Sequence, residues 1–188
     1  MVTAMVTPMK PDRSIDYDGV KKLAEHLVAN GHDGLVVNGT TGESATTTDE
    51  ENIETVRAVA DAVKGRTAIT AGVGTNDTAH SVRAAKALAD AGADAVLVVT
   101  PYYNKPTQAG IVEHFKAVVG ATDGLALASH IPGRSGTALA SDTIRQLATI
   151  DQVRAVKDAK GDFFEATKLM DETDPVSYTH LRAHETSL

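Results

Sequence analysis

The chain has 188 residues, a formal net charge of −7, 42% hydrophobic residues, 4% aromatics and no cysteine. That length suits one domain with a packed core. The acidic balance excludes a basic nucleic-acid face, and the missing cysteine excludes a disulfide scaffold or thiolate metal site. No apolar run approaches the roughly 18 residues of a membrane helix, and the start, Met1-Val2-Thr3-Ala4, lacks the features of a secretory signal, so the expected location is cytoplasmic.

Short runs rich in Val, Ile, Leu and Ala recur along the chain: Thr3–Val6, Gly34–Val37, Thr67–Ala71, Ala95–Val99, Leu125–Ala128 and Val153–Val156. They lack a strict apolar/polar alternation, which reads as strands buried on both faces of a parallel sheet. Amphipathic stretches with helical punctuation lie between them. Asp16 precedes Tyr17–Asn30, and Gly31 stops it. Thr48 precedes an acidic first turn, Asp49-Glu50-Glu51, suited to the positive end of a helix dipole. Further helices are expected over Asp77–Ala91, Thr107–Ala121, Asp142–Ala148 with Ser141 as N-cap, and Asp162–Asp171.

Strands recur about every 30 residues, the size of a βα crossover unit. Alternating strands and helices define an α/β fold with a parallel sheet. Six units leave two architectures: an open doubly wound sheet, or a (β/α)8 TIM barrel that is incomplete, since a full one typically needs about 250 residues. Both place ligands at the carboxyl ends of the strands. Polar residues gather there: Asn38-Gly39-Thr40-Thr41-Gly42-Glu43-Ser44, Gly72-Val73-Gly74-Thr75-Asn76, Thr100-Pro101-Tyr102-Tyr103-Asn104, Ser129-His130-Ile131-Pro132-Gly133-Arg134-Ser135-Gly136 and Lys157-Asp158.

Each cluster has a plain structural reading as well. Gly39–Gly42 suits a turn whose hydroxyls satisfy backbone groups. Gly72-Val73-Gly74 opens like a dinucleotide fingerprint, but the sixth position is Asp77, so nucleotide binding is discounted. Tyr102 and Tyr103 suit a surface or an interface. Lys157 is the sharpest candidate. Alternation puts Val153, Ala155 and Lys157 on one side of the strand and Arg154 and Val156 on the other. An ammonium turned into an apolar interior tends to lose its proton, and the neutral amine can attack a ketone to form a Schiff base. The competing reading pairs Lys157 with Asp158 or Glu43.

Taken together, Thr3-Ala4-Met5-Val6-Thr7-Pro8, Gly39-Thr40-Thr41-Gly42-Glu43-Ser44, Thr100-Pro101-Tyr102-Tyr103-Asn104, Ile131-Pro132-Gly133-Arg134-Ser135-Gly136 and Val156-Lys157-Asp158-Ala159 stand in an order and spacing that resembles the dihydrodipicolinate synthase / N-acetylneuraminate lyase family of class I aldolase-type (β/α)8 barrels. The resemblance covers about residues 3–174, and the paired threonines of Gly-Thr-Thr-Gly-Glu resemble the synthase branch. It implies condensation of pyruvate with L-aspartate 4-semialdehyde in lysine and diaminopimelate biosynthesis. Lys157 would carry the pyruvate imine, Thr41 would hold the pyruvate carboxylate, Thr40 and Tyr103 would relay protons with Tyr103 entering the partner subunit's site, and Arg134 would meet the aldehyde's carboxylate. Neither a metal nor an organic cofactor is implied, and the family's assembly is a homodimer or homotetramer. The alternatives are a non-catalytic fragment of such an enzyme and a related pyruvate-dependent sugar-acid aldolase.

Two departures stand out. The family's relay has a tyrosine two residues before the Ile-Pro pair; this chain has Ser129 there, followed by His130, which alternation turns to the other face. Activity is therefore expected to be impaired. The second departure is 175–188, which shows no family motif and is expected to be foreign to the domain of 1–174. Its His180 and His184 stand four apart but lack the glutamate of a zinc-protease pattern. A barrel of six units would leave edges open at the first and sixth strands, an aggregation liability.

Overall fold

The computed structural model describes residues 1–173 and the backbone of 177–180. The chain divides into two compact units, one of residues 1–73 and 83–97, the other of 74–82 and 98 onward.

In the first unit, β1 (Val2–Ala4), β2 (Gly34–Val37), β3 (Ala68–Gly72) and the start of β4 (Ala95–Val99) pair in sequence order, every pair parallel. All four residues of β2 are buried, as a strand covered on both faces requires. Helix α1 (Tyr17–Ala29) starts at Asp16, whose carboxylate accepts from Gly19 N–H. Helix α2 (Asp49–Val63) starts at Thr48 with a reciprocal capping box: Glu51 N–H donates to the Thr48 hydroxyl, and Thr48 N–H donates to the Glu51 carboxylate. Such a box satisfies two otherwise orphaned donors. Val20 and Ala24 of α1, Val56, Val59 and Val63 of α2, and Leu35 and Val37 of β2 are buried. Helix α3 (Thr78–Asp90) contributes Ala85 and Leu88 to the core of this unit.

In the second unit, β5 (Leu125–His130), β6 (Val153–Asp158) and β7 (Ser177–His180) run parallel in that order. Helices α4 (Gln108–Val119), α6 (Ser141–Ala148) and α7 (Phe163–Glu172) supply buried Ile111, Phe115, Val118, Ile144, Leu147, Ala166 and Leu169. Gln108 ties α4 to the approach of α6: its Nε2 donates to the Ala138 carbonyl, and its Oε1 accepts from Ala140 N–H and the Thr143 hydroxyl. A short helix, α5 (Pro132–Ser135), follows β5.

Several expectations are corrected. The β5 strand runs two residues past its apolar run, because Ser129 and His130 continue the ladder, whereas β6 ends in Lys157-Asp158 as expected. Ser141 is not the N-cap of α6. The helix begins at Ser141 itself after Ala140, and the Ser141 hydroxyl donates to the Glu165 carboxylate instead. Residues 177–180 were expected outside the fold, yet their backbone pairs with β6 as β7, from Ala155↔Ser177 to Asp158↔His180. An uncovered strand edge offers a row of N–H and C=O groups to any β-prone segment that follows, and Ser-Tyr-Thr supplies one. His180 thus lies on a strand; His184 and the remainder of the tail lie outside the described residues.

The Gly72-Val73-Gly74 run has a packing explanation. A Cβ on Gly72 would sit 2.0 Å from the Asn38 carbonyl oxygen, and one on Gly74 would sit 2.4 Å from Val99 N. Both obstacles are backbone, so neither can swing aside. Gly72→Ala should therefore destabilise the protein by about 3 kcal/mol, the upper end of the usual overpacking cost. Gly133→Ala, which meets nothing within 4 Å, should change stability little. Chemical denaturation of the two variants checks the contrast; equal midpoints would refute it.

Candidate active site

Within the first unit, the loop after β2 is bracketed by two left-handed residues, Asn38 (φ 56) and Glu43 (φ 58). Asparagine tolerates that region because its amide can bond locally. Asn38 is buried, and its Nδ2 donates to the Asn52 carbonyl. Between them Thr40–Gly42 forms a single 3-10 turn, with Gly42 N–H donating to Gly39 O. The Thr7 hydroxyl donates to Gly42 O at 2.6 Å and pins the far side. Thr40 and Thr41 are both exposed. Among the described residues neither of their backbone N–H groups has a partner. The loop thus offers two hydroxyls and two donors on a fixed backbone.

Within the second unit, four of the candidates belong together. The β5–β6 ladder pairs Ser129 with Lys157 and His130 with Asp158. Paired residues of a parallel ladder share a face, so Ser129 stands beside Lys157 while His130 and Asp158 turn to the opposite side. The lysine is half-buried on its strand. Burial pushes its ammonium below the ordinary lysine value, and the Arg134 guanidinium pushes it further in the same direction. Among the described residues the Lys157 amine has no ion pair or hydrogen bond. Of the two partners in the competing reading, Asp158 and Glu43, Asp158 turns elsewhere: one of its oxygens accepts from Lys160 N–H and lies 3.4 Å from His130 Nδ1.

Arg134 is placed by α5. Pro132 opens that helix, and the Ile131 carbonyl accepts from Arg134 N–H, Ser135 N–H and the Ser135 hydroxyl. Gly136 closes it in the left-handed region at φ 73. This short helix was not visible as hydrophobic periodicity; proline at its first position and glycine just past its end are the signal that finds it. Tyr103 is 88% exposed and holds φ 70, a costly backbone for an aromatic residue. The strained turn is fixed next door, where Asn104 Nδ2 donates to the Asn76 carbonyl.

A half-buried amine of depressed basicity, beside a hydroxyl and within the field of a guanidinium, is the equipment of a carbonyl-trapping site. Comparison with known proteins agrees in family. The family model for the dihydrodipicolinate synthetase family matches residues 1–180. The chain belongs to this family. It is 50% identical over 179 residues to the 4-hydroxy-tetrahydrodipicolinate synthase of Acidothermus cellulolyticus, covering 95% of this chain and 58% of that protein. It is 52% identical over 180 residues to that of Cutibacterium acnes, covering 95% of this chain and 61% of that protein. A dihydrodipicolinate synthase crystal structure from Bacillus anthracis superposes with a TM-score of 0.91 at 39% identity, over 94% of this chain and 62% of the other. Another, from Acinetobacter baumannii and complexed with pyruvate, gives 0.91 at 38% identity over the same shares. The chain therefore spans about three-fifths of the length of these dihydrodipicolinate synthases. Its fold class is the family's (β/α)8 barrel, incomplete, and the open-sheet alternative is set aside. No helix among the described residues is long and apolar enough to cross a membrane.

Proposed function

We propose that this chain carries the Schiff-base chemistry of 4-hydroxy-tetrahydrodipicolinate synthase, a cytoplasmic lyase condensing pyruvate with L-aspartate 4-semialdehyde. The observation that carries this reading is the state of Lys157: half-buried, of lowered basicity, without an ion pair among the described residues, and next to Ser129. Its neutral amine attacks the ketone carbon of pyruvate. The carbinolamine loses water, and the protonated imine draws off electron density so that a methyl proton can leave. The resulting enamine attacks the aldehyde carbon of the second substrate. The imine on Lys157 serves as the electron sink, so the chemistry needs no metal or organic cofactor. Arg134, a planar fork near the amine, suits a substrate carboxylate. Thr41 receives the pyruvate carboxylate in this scheme, and Thr40 with Tyr103 moves protons. The exposure and left-handed backbone of Tyr103 support its insertion into a second copy of the chain.

The test is reductive trapping. The chain incubated with pyruvate and borohydride should gain one reduced pyruvyl group, and peptide mapping should place it on Lys157. No adduct, or adducts spread evenly over exposed lysines, would overturn the proposal.

A further inference from the structure

The second face of the β5–β6 pair carries a feature that the proposed chemistry leaves unused. His130 and Asp158 are directly paired in the ladder, with side chains only 3% and 8% exposed. His130 Nδ1 lies 3.4 Å from the Asp158 carboxylate, and neither ring nitrogen completes a hydrogen bond among the described residues. A buried imidazole with unpartnered ring nitrogens and a buried carboxylate are each costly; the two side by side offset one another in part. Their location gives the pair its meaning. The β5–β6 register breaks between Ala126 and Leu127: Ala126 opposes Val153, but Leu127 opposes Ala155, leaving Arg154 as the extra residue of a bulge. Bulges loosen the ladder locally, and a one-residue slip beyond this one would turn Lys157 to the wrong face. Beyond the bulge the ladder is closed at its end by Ala159 N–H donating to the His130 carbonyl. The His130–Asp158 contact sits at that same end, back to back with Ser129 and Lys157.

We propose that His130 and Asp158 are a positioning pair, which fixes the register of the β5 and β6 ends and so holds Lys157 beside Ser129 in its half-buried setting. Nδ1 is the ring nitrogen that lies 3.4 Å from the carboxylate, whose same oxygen accepts from Lys160 N–H and ties the pair to the turn after β6. Its consequence for catalysis rests on the proposed function, but the register role does not.

The experiment labels the chain with trace acetic anhydride near pH 8 and reads Lys157 against exposed Lys22 by mass spectrometry, alongside hydrogen exchange of peptides spanning 125–130 and 153–159. In His130→Leu, Lys157 labelling should fall about tenfold as the amine gains water and its proton, and exchange should rise in those two peptides alone. His130→Asn, which keeps an N–H donor, should stay within about twofold of the parent. Asp158→Asn keeps size and the bond from Lys160 N–H but removes the charge; it should follow His130→Leu, and it decides the matter if the leucine variant does not fold. Parent-like labelling and exchange in the folded variants would overturn the proposal. Pyruvate trapping runs as a separate arm: a parent that takes no pyruvate while the labelling differences persist refutes the function and leaves the positioning pair standing.

Discussion

Lys157→Met should produce a protein that gains no pyruvyl group under borohydride and melts at a higher temperature than the parent. The two effects share one cause. The folded state lowers the basicity of Lys157 from the ordinary 10.5, chiefly by burial and secondly through Arg134. An unfolded chain therefore binds the proton more tightly than the folded one. Below pH 10.5 folding must bury a charge or expel a proton, and that cost is complete once the pH is below the folded value. Above 10.5 both states are neutral and the cost disappears. Methionine keeps most of the length of the stem and carries no charge, so the variant escapes the cost at every pH. The gap in Tm between variant and parent should be widest at neutral pH and narrow as the solution becomes alkaline. A gap of constant size, or none, would show that burial does not perturb this amine, and a pyruvyl group still found on the variant would move the chemistry to another residue. Stability given up at a reactive group is a familiar feature of enzyme sites.

How much of this could be read beforehand divides along physical lines. The βα alternation was legible because strands buried on both faces must be continuously apolar, and β2 and β4 carry runs that admit little else. The caps at Asp16 and Thr48 were legible because a side-chain oxygen ahead of an amphipathic run can accept from the free N–H groups of the first turn, although Ser141, read from the same signal, bonds Glu165 instead. The shared face of Ala155 and Lys157 was legible through strand parity, but the expected place of Val153 beside them was not: the bulge at Arg154 pairs Val153 with Ala126 and turns it to the opposite face. Other features were not legible. The left-handed conformations of Asn38, Glu43 and Tyr103 carry no local signature in periodicity, and the bonds beside two of them reach far along the chain, from Asn38 to Asn52 and from Asn104 to Asn76. The true reason for Gly72 and Gly74 lies in adjacent strands' backbones, so a local motif could only mislead. Pairing of 177–180 with β6 is a backbone matter, which composition does not reveal. The contact of His130 with Asp158 needed the register, because each residue alone reads as an ordinary polar strand end.

Ser129→Tyr should quicken the proton transfers that follow imine formation while leaving imine formation itself nearly unchanged. The ladder puts position 129 beside Lys157 on the same face, so a phenol there extends past the amine toward the methyl group of a bound pyruvate. A serine hydroxyl at that position is short, and at 2% exposure it is also enclosed. It is also a much weaker acid than a phenol, so it donates and recovers a proton less readily. General acid–base assistance typically contributes 10²–10⁴-fold, and the variant should gain about 10²-fold in exchange of the pyruvate methyl protons with deuterated solvent, followed by NMR. Methyl exchange reports enamine formation without requiring the aldehyde, so the result does not depend on the identity of the second substrate. The rate of borohydride trapping at Lys157 serves as the internal control. If trapping and the thermal melt match the parent while methyl exchange does not accelerate, position 129 has no part in the relay, and the expectation of impaired activity loses its basis. If exchange accelerates, the serine is the feature that holds this chain's chemistry back.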